Sequence, residues 1–168
     1  MKLIITGHDY SGKSTMLRDL WGTFDNRSAS FIHLSYREPT NYEFYNQTLE
    51  FSNFLMDRCF LDELIYPEVF NREPNLTEEE AEQLMAKCEA LQIKILILEC
   101  SDEEIERRIK LRKEKEEPEV LDNILLIKKR YREIASKFGI PIVDTTNLSG
   151  YREVEEFDSY NIMGGNNG

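Results

Sequence analysis

The sequence lacks the features of a secreted or membrane-spanning protein. Its 168 residues include only three cysteines, an odd number without CxxC spacing, which argues against a disulfide framework. No apolar run approaches the length of a membrane span, and the N-terminus has no signal-peptide pattern. We therefore expect a cytoplasmic protein whose thiols are reduced and mostly packed in apolar surroundings.

A surplus of basic residues is missing as well. Asp and Glu outnumber Lys and Arg by 32 to 21, and the formal net charge is -11. Extended nucleic-acid interfaces are basic, so this charge disfavours DNA as a partner without excluding it. A local basic pocket for a small anion remains possible.

Short apolar runs alternate with helical patterns over most of the chain. Near-continuous hydrophobic segments predict strands covered on both faces at 2–6, 31–36, 53–57, 94–99 and 140–145. Helices are predicted at 13–23, 61–71 with a kink at Pro67, 76–92, 101–116 and 119–138. Thr77 with Glu80 has the spacing of a capping box, and Ser101 is the expected cap of the fourth helix.

This alternation predicts a three-layer α/β fold, in which helices flank a five-stranded parallel sheet. We expect one domain over residues 1–148. The polar, glycine-rich segment 149–168 is expected to be a flexible tail.

The stretch GHDYSGKS at residues 7–14 fits the pattern GxxxxGK[ST] between a predicted strand and a predicted helix. Glycines let successive backbone N–H groups point at phosphate oxygens, and the helix N-terminus adds partial positive charge. Lys13 would span the β- and γ-phosphates, and the Ser14 hydroxyl would coordinate Mg²⁺. The expected nucleotide contacts of this phosphate loop are Gly7, Tyr10, Ser11, Gly12, Lys13, Ser14 and Thr15.

Two classes of phosphate-loop protein are not indicated. A GTPase needs an NKxD motif after a later strand, and none is present. A motor ATPase usually carries hhhhDE at the end of a strand, whereas here Asp57 is followed by Arg58 in NFLMDRCF.

Several segments in the expected order resemble thymidylate kinases. GHDYSGKST is similar to their GxDxxGKST loop, and YREPT at 36–40 to their REPGGT segment. DRCFLDELIY at 57–66 resembles the DRxxLSExVY of small family members, many of them from phages. The stretch 100–119 resembles the arginine-supplying lid, which we place at about 101–119.

The resemblance implies roles at the acceptor side of a kinase site. Asp9 would contact the sugar hydroxyl of the acceptor; alternatively it caps its own loop or pairs with a nearby arginine. Arg37 would grip the acceptor phosphate, or else form a surface pair with Glu38. Arg58 would bridge the acceptor and donor phosphates.

Asp57 lies at a strand end beside the phosphate loop. Its carboxylate could hold Mg²⁺ through water or accept a proton from the attacking group. The alternative is a buried partner for Arg58 alone.

Further candidates are equally open to a packing role. Glu63 and Tyr66 share a helix face that could approach the acceptor, with Tyr66 stacking on a base. Aromatic residues between the second and third strands, including Tyr45, could wall the base pocket or pack in the core.

Arg108 and Arg112 are four residues apart on one face of the predicted lid helix, with Arg107 about 100° away. A closing lid would bring these cations to the transferring phosphoryl group and exclude water. Alternatively, they belong to an exposed helix laced with ion pairs to its glutamates. Thr145, after the last strand, lies where the donor base would bind.

We therefore expect Mg²⁺- and ATP-dependent phosphoryl transfer to a small acceptor, a deoxynucleoside monophosphate such as dTMP. The alternatives are a kinase of a nucleoside or of a hydroxymethylated pyrimidine in DNA, and a nucleotide-binding regulatory NTPase. The expected partners are small nucleotides, and a homodimer is left open.

Overall fold

Five parallel strands form the centre of the molecule. The computed structural model describes residues 2–22, 29–35, 40–112 and 118–148. The strands are β1 (Lys2–Gly7), β2 (Ser30–His33), β3 (Phe54–Asp57), β4 (Lys94–Glu99) and β5 (Ile142–Asp144). They pair in the order β2-β3-β1-β4-β5, and every pairing is parallel. The predicted five-stranded parallel sheet is confirmed.

Helices connect the strands. They are α1 (Lys13–Trp21), α2 (Tyr42–Thr48), α3 (Tyr66–Val69), α4 (Glu78–Ala90), α5 (Asp102–Leu111) and α6 (Pro118–Phe138). Both predicted caps are confirmed, since Thr77 forms a complete capping box with Glu80 and the Ser101 side chain accepts from the Glu104 N–H. No helix within the described ranges is both long and apolar enough to cross a membrane.

Apolar side chains leave the sheet on both faces, which produces three layers. Leu3 and Ile5 of β1 enter one cluster, which α1 covers with Met16, Leu17 and Leu20. Ile4 points to the opposite face, into a larger cluster covered by α2, α4 and α6. The alternation explains why the inner strands have near-continuous hydrophobic sequences.

α5 has a small apolar cluster of its own. Cys100, Ile105 and Ile109 pack against Ile124 of α6, apart from the two clusters that cover the sheet. Tyr10 of the phosphate loop packs against this cluster, so α5 is in contact with the loop.

The segment predicted as one kinked helix at 61–71 is broken. Asp62–Leu64 form a single 3-10 turn, and α3 begins separately at Tyr66. Pro67 lies in the first turn of α3, where backbone N–H groups have no partner within the helix. Proline, which has no N–H group, fits this position without the loss of a hydrogen bond. The interruption therefore falls before the proline.

Two further details differ from the sequence prediction. β2 is an edge strand with Phe31 44% exposed, so the prediction that it is covered on both faces is wrong. α2 was not predicted, although Asn41 is a recognisable N-cap whose side chain accepts from the Phe44 N–H at 3.0 Å.

The strand order indicates which edge of the sheet is suited to ligand binding. After β1 the chain passes to β2 and β3 on one side, and then crosses to β4 on the other. In open α/β sheets the crevice at such a reversal, outside the carboxyl ends of the strands, binds ligands. Gly7 ends β1 and Asp57 ends β3 at this edge.

Candidate active site

The phosphate loop between β1 and α1 requires glycine at both of its glycine positions. Gly7 has a φ of +144°, and a Cβ there would lie 2.1 Å from the Leu98 carbonyl oxygen of β4. Gly12 has a φ of +92° but enough space for a methyl group, so its requirement is conformational. The motif glycines thus fix the path of the loop.

Side chains anchor the carbonyl groups in the first half of the loop. Lys13 Nζ donates to the carbonyls of Gly7 and His8 at 2.7 and 2.8 Å. His8 Nδ1 lies 2.7 Å from the Asp9 carbonyl, and His8 Nε2 accepts from the Cys100 N–H at 3.3 Å. Both contacts fit a neutral imidazole protonated on Nδ1, and burial lowers the pKa of His8 to about 4.

Residues from α5 and from beyond β5 anchor the second half. Arg108 donates to the Tyr10 carbonyl at 2.8 Å and to the Thr145 carbonyl at 2.9 Å. The Thr145 hydroxyl donates to the Ser11 carbonyl at 2.6 Å. All carbonyls from position 7 to position 11 therefore accept a side-chain hydrogen bond.

These anchors set the direction of the backbone N–H groups, since the carbonyl and the N–H of one peptide point to opposite sides. A row of such N–H groups at a helix N-terminus is an anion-binding arrangement. Lys13 is buried, which lowers its pKa, while the nearby Asp9 carboxylate opposes the shift. Ser14 and Thr15 are exposed in the first turn of α1.

Asp9 is paired with an arginine, one of the alternatives left open by the sequence. Arg58 NH2 lies 3.1 Å from Asp9 Oδ1, and the Tyr66 hydroxyl donates to Asp9 Oδ2 at 3.4 Å. The guanidinium carbon of Arg58 lies 5.2 Å from the centre of the Tyr66 ring. Burial and the Asp9 carboxylate both raise the pKa of Tyr66, so its hydroxyl remains a donor. The Asp9 side chain is still 41% exposed.

Arg58 has an unusual backbone conformation. Its φ of +70° is left-handed, which costs a non-glycine residue on the order of 1–3 kcal/mol. Its N–H donates to the Ile5 carbonyl at 2.9 Å and so continues the pairing of β3 with β1. Backbone strain at this position is typical of functional sites.

Asp57 is paired with a histidine instead of Arg58. Its Oδ2 lies 2.6 Å from Nδ1 of His33, which is opposite it in the parallel register of β2 and β3. The other carboxylate oxygen, Oδ1, is buried without a hydrogen-bond partner among the described residues. One oxygen of Asp57 is therefore a buried acceptor that no described group satisfies.

A small cavity of about 90 Å³ lies beside Arg58 and Tyr66. Glu63 lines it and accepts hydrogen bonds from the hydroxyls of Thr40 and Tyr45 at 2.5 and 3.2 Å. Tyr45 is only 1% exposed, so it both packs in the core and contributes to the cavity wall. We call this space the acceptor-side cavity, because Arg58, Glu63 and Tyr66, which the sequence predicts to contact an acceptor, line it.

A second cavity of about 300 Å³ lies on the other side of the phosphate loop. Predicted residues that line it are Tyr10, Gly12, Thr15, Arg108, Arg112 and Thr145. The guanidinium carbon of Arg112 lies 4.8 Å from the centre of the Tyr10 ring. We call this space the donor-side cavity.

Arg107 points elsewhere. Its side chain is 60% exposed and bonds bidentately to Glu104 at 2.7 Å, while Arg108 binds the same carboxylate at 2.6 Å. The Arg107 hydrogen bonds are the main cause that lowers the pKa of Glu104 to about 2. Arg37 lies outside the described residues.

A larger cavity of about 520 Å³ lies between α3, the start of α4 and α6. None of its lining residues belongs to the phosphate loop. The chemistry of the site, and not cavity size, therefore locates the candidate active site.

Sequence reasoning missed a buried polar cluster under the site. Asp62 accepts hydrogen bonds from the Thr6 and Tyr131 hydroxyls and from the Cys59 N–H. Burial raises the pKa of Asp62, while Arg58 and the Cys59 N–H counteract the shift. An acidic residue in a largely apolar stretch is the only sequence signal for it, and Tyr131 is indistinguishable from core packing in its helix.

Comparison with known proteins supports the fold. No family model and no curated protein matches the sequence. Its structure is similar to that of the YorR protein from Bacillus subtilis, solved in complex with phosphorylated GDP. The two chains are 23% identical, with a TM-score of 0.74, over 94% of this chain and 93% of that chain. At this identity the likeness shows the fold alone, and it agrees with the α/β architecture of a phosphate-loop protein.

Proposed function

We propose that the protein transfers the γ-phosphoryl group of ATP to a deoxynucleoside monophosphate, with dTMP as the first candidate. The observation that carries this proposal is the anchored phosphate loop, with Arg58 held beside Asp9 at its acceptor side. A nucleotide switch needs the phosphate loop, but it does not need an arginine such as Arg58 to bind the phosphate of an acceptor. The likeness to a protein solved with a phosphorylated nucleotide supports nucleotide binding.

Phosphoryl transfer asks a protein mainly for positioning and charge neutralisation. The loop N–H groups and Lys13 would hold the donor phosphates. Lys13 now donates to two loop carbonyls, so it would exchange these bonds for phosphate oxygens when ATP binds. Arg112 and Tyr10 in the donor-side cavity would contact the donor nucleoside.

On the acceptor side, Arg58 would bind the acceptor phosphate through its two-pronged guanidinium. Asp9 holds Arg58 and has an exposed face that could also accept a hydrogen bond from the sugar hydroxyl. Glu63 and Tyr66 would border the acceptor nucleoside. Arg37, which lies outside the described residues, remains a predicted contact of the acceptor phosphate. Arg107 remains a predicted contact of the donor nucleotide, which its pairing with Glu104 does not provide.

The residues present fit a magnesium site. Mg²⁺ prefers hard oxygen ligands and is commonly held by one or two protein groups together with substrate phosphates. Asp57 Oδ1 is a carboxylate oxygen without a partner in the described structure, and the Ser14 hydroxyl is exposed. When bound, Mg²⁺ would neutralise phosphate charge, and Asp57 and Ser14 would hold it.

A guanine nucleotide is the second candidate acceptor. The similar protein was solved with phosphorylated GDP, and the acceptor-side cavity presents the Glu63 carboxylate. A carboxylate pairs with the adjacent N–H donors of guanine, whereas thymine offers one N–H between two carbonyl groups. Glu63→Gln should therefore weaken the binding of guanine acceptors more than the binding of thymine acceptors.

The test is ATP consumption measured against dTMP, dGMP, dCMP, dAMP and GMP, then nucleosides and hydroxymethyluracil-containing DNA. We expect one monophosphate to raise turnover at least tenfold over the rate without acceptor. If only nucleosides or DNA stimulate ATP consumption, the acceptor is one of these and not a nucleoside monophosphate. Slow hydrolysis that no acceptor stimulates would refute the kinase proposal in favour of a regulatory NTPase.

A further inference from the structure

The buried cluster around Asp62 lies close to Arg58 in the chain and in space. Asp62 Oδ2 accepts from the Cys59 N–H at 2.6 Å and from the Thr6 hydroxyl at 3.0 Å, and Oδ1 accepts from Tyr131. The Thr6 and Tyr131 hydroxyls lie 3.0 Å apart, and both side chains are at most 1% exposed. The cluster ties together β1, the turn after β3 and α6.

Hydrogen bonds on both sides hold the left-handed backbone of Arg58. Its own N–H binds the Ile5 carbonyl at 2.9 Å, and the next N–H, that of Cys59, binds Asp62. The Asp62 N–H returns a bond to the Cys59 carbonyl at 3.0 Å and closes the turn. A non-glycine residue stays left-handed only when its surroundings hold it there, and Asp62 provides the bond that follows Arg58.

We propose that Asp62 is a positioning residue for acceptor binding. Through the Cys59 N–H it holds Arg58 in the backbone conformation that presents the guanidinium beside Asp9. Thr6 and Tyr131 fix the carboxylate, so a residue of α6 helps to set the acceptor site. This proposal rests on the proposed function, in which Arg58 binds the acceptor phosphate.

Kinetics of Asp62→Asn separate this role from general stabilisation. We expect the acceptor KM to rise about tenfold while the ATP KM changes less than about twofold, because only the Arg58 side of the site is disturbed. In an Arg58→Ala background the same substitution should have no further effect on acceptor kcat/KM. An additive loss in that background would overturn the proposal.

Two buried threonines offer a matched control. Thr6→Val removes a hydroxyl from the cluster, whereas Thr48→Val removes one that donates to the Phe44 carbonyl at 2.7 Å within α2. Both residues are at most 5% exposed, so both substitutions should lower stability. Only Thr6→Val should raise the acceptor KM, and equal acceptor kinetics in the two variants would contradict the positioning role.

Hydrogen exchange tests the geometry without catalysis. In Asp62→Ala the Cys59 amide should exchange at least about tenfold faster, beyond any change in global stability. Unchanged exchange would overturn the proposal at its structural step. Failure of the unaltered protein to phosphorylate any acceptor, with faster exchange in Asp62→Ala, would instead refute the proposed function and leave Asp62 as a residue that holds only the backbone of Arg58. If Asp62→Ala does not fold, Tyr131→Phe is measured instead, with a smaller increase expected and an unchanged rate equally decisive.

Discussion

Thr145→Val would remove one hydroxyl from the anchored phosphate loop while keeping the shape of the side chain. That hydroxyl donates to the Ser11 carbonyl at 2.6 Å, Thr145 is 4% exposed, and Ser11 is fully buried. Loss of the partner of a buried polar group costs about 1–3 kcal/mol. For a chain of this size the loss corresponds to a fall in Tm of roughly 2–12 °C.

The same substitution should weaken ATP binding. The Ser11 carbonyl and the Gly12 N–H belong to one peptide plane. A carbonyl that turns to find a new partner therefore moves an N–H group that we propose to bind phosphate. We expect the Kd for ATP to rise about tenfold, near the lower limit for a hydrogen bond to a charged group. Isothermal titration calorimetry measures the Kd, and thermal unfolding measures the stability.

Thr146→Val is the matched control. The Thr146 hydroxyl accepts from the Ser101 N–H at 2.9 Å and bonds to Asp144, but its hydrogen bonds do not include the loop carbonyls. It should lower the Tm with little effect on the Kd for ATP. If Thr145→Val leaves the Kd unchanged, or if both variants raise it equally, carbonyl anchoring does not shape the phosphate site.

Four further substitutions test the proposed roles. Lys13→Ala should lower kcat by orders of magnitude in a folded protein, and unchanged turnover would refute the phosphate-loop role. Arg58→Lys should also lose most of its activity toward the acceptor, because an ammonium group cannot replace a planar two-pronged donor. Near-normal acceptor kinetics would show that Arg58 is only an ion-pair partner of Asp9. Asp9→Asn should lower acceptor kcat/KM about ten- to a hundredfold, and much less with a 2′,3′-dideoxy acceptor if Asp9 binds the sugar. An equal loss with both acceptors would leave Asp9 as a holder of Arg58. The pKa of His8 falls from 6.5 to about 4 on folding, so stability should decrease by about 3 kcal/mol as pH falls through this interval. Urea unfolding of His8→Gln should lack that part of the pH dependence, and the same slope in both proteins would contradict it.

The sequence predicts most of the fold because its signals are local. Continuous apolar runs mark the inner strands, and the glycine loop between β1 and α1 is visible as a motif. Thr77 and Ser101 mark helix starts through bonds that span only three residues. The exposure of β2 could not be predicted in the same way, because its edge position depends on the strand order, which local sequence patterns do not contain.

The candidate site is predictable in its residue types but not in their pairings. Arg58 and Asp9 are both expected at the acceptor side, yet their contact joins residues 49 positions apart. The pairing of Asp57 with His33 follows from strand register, and the bond of Arg108 to the Tyr10 carbonyl spans 98 positions. Asp62 is harder still, because its partners come from β1 and α6.

The separate apolar cluster of α5 has a consequence for its dynamics. Because Ile105 and Ile109 pack on α6 and Tyr10, and not into the clusters that cover the sheet, we expect α5 to open locally at a lower free energy than the sheet and its covering helices. Such an opening would break the Arg108 bond to the Tyr10 carbonyl, so under the proposed function it would weaken nucleotide binding. A helix at the periphery of the hydrophobic core would thereby adjust how tightly the phosphate loop holds its ligand.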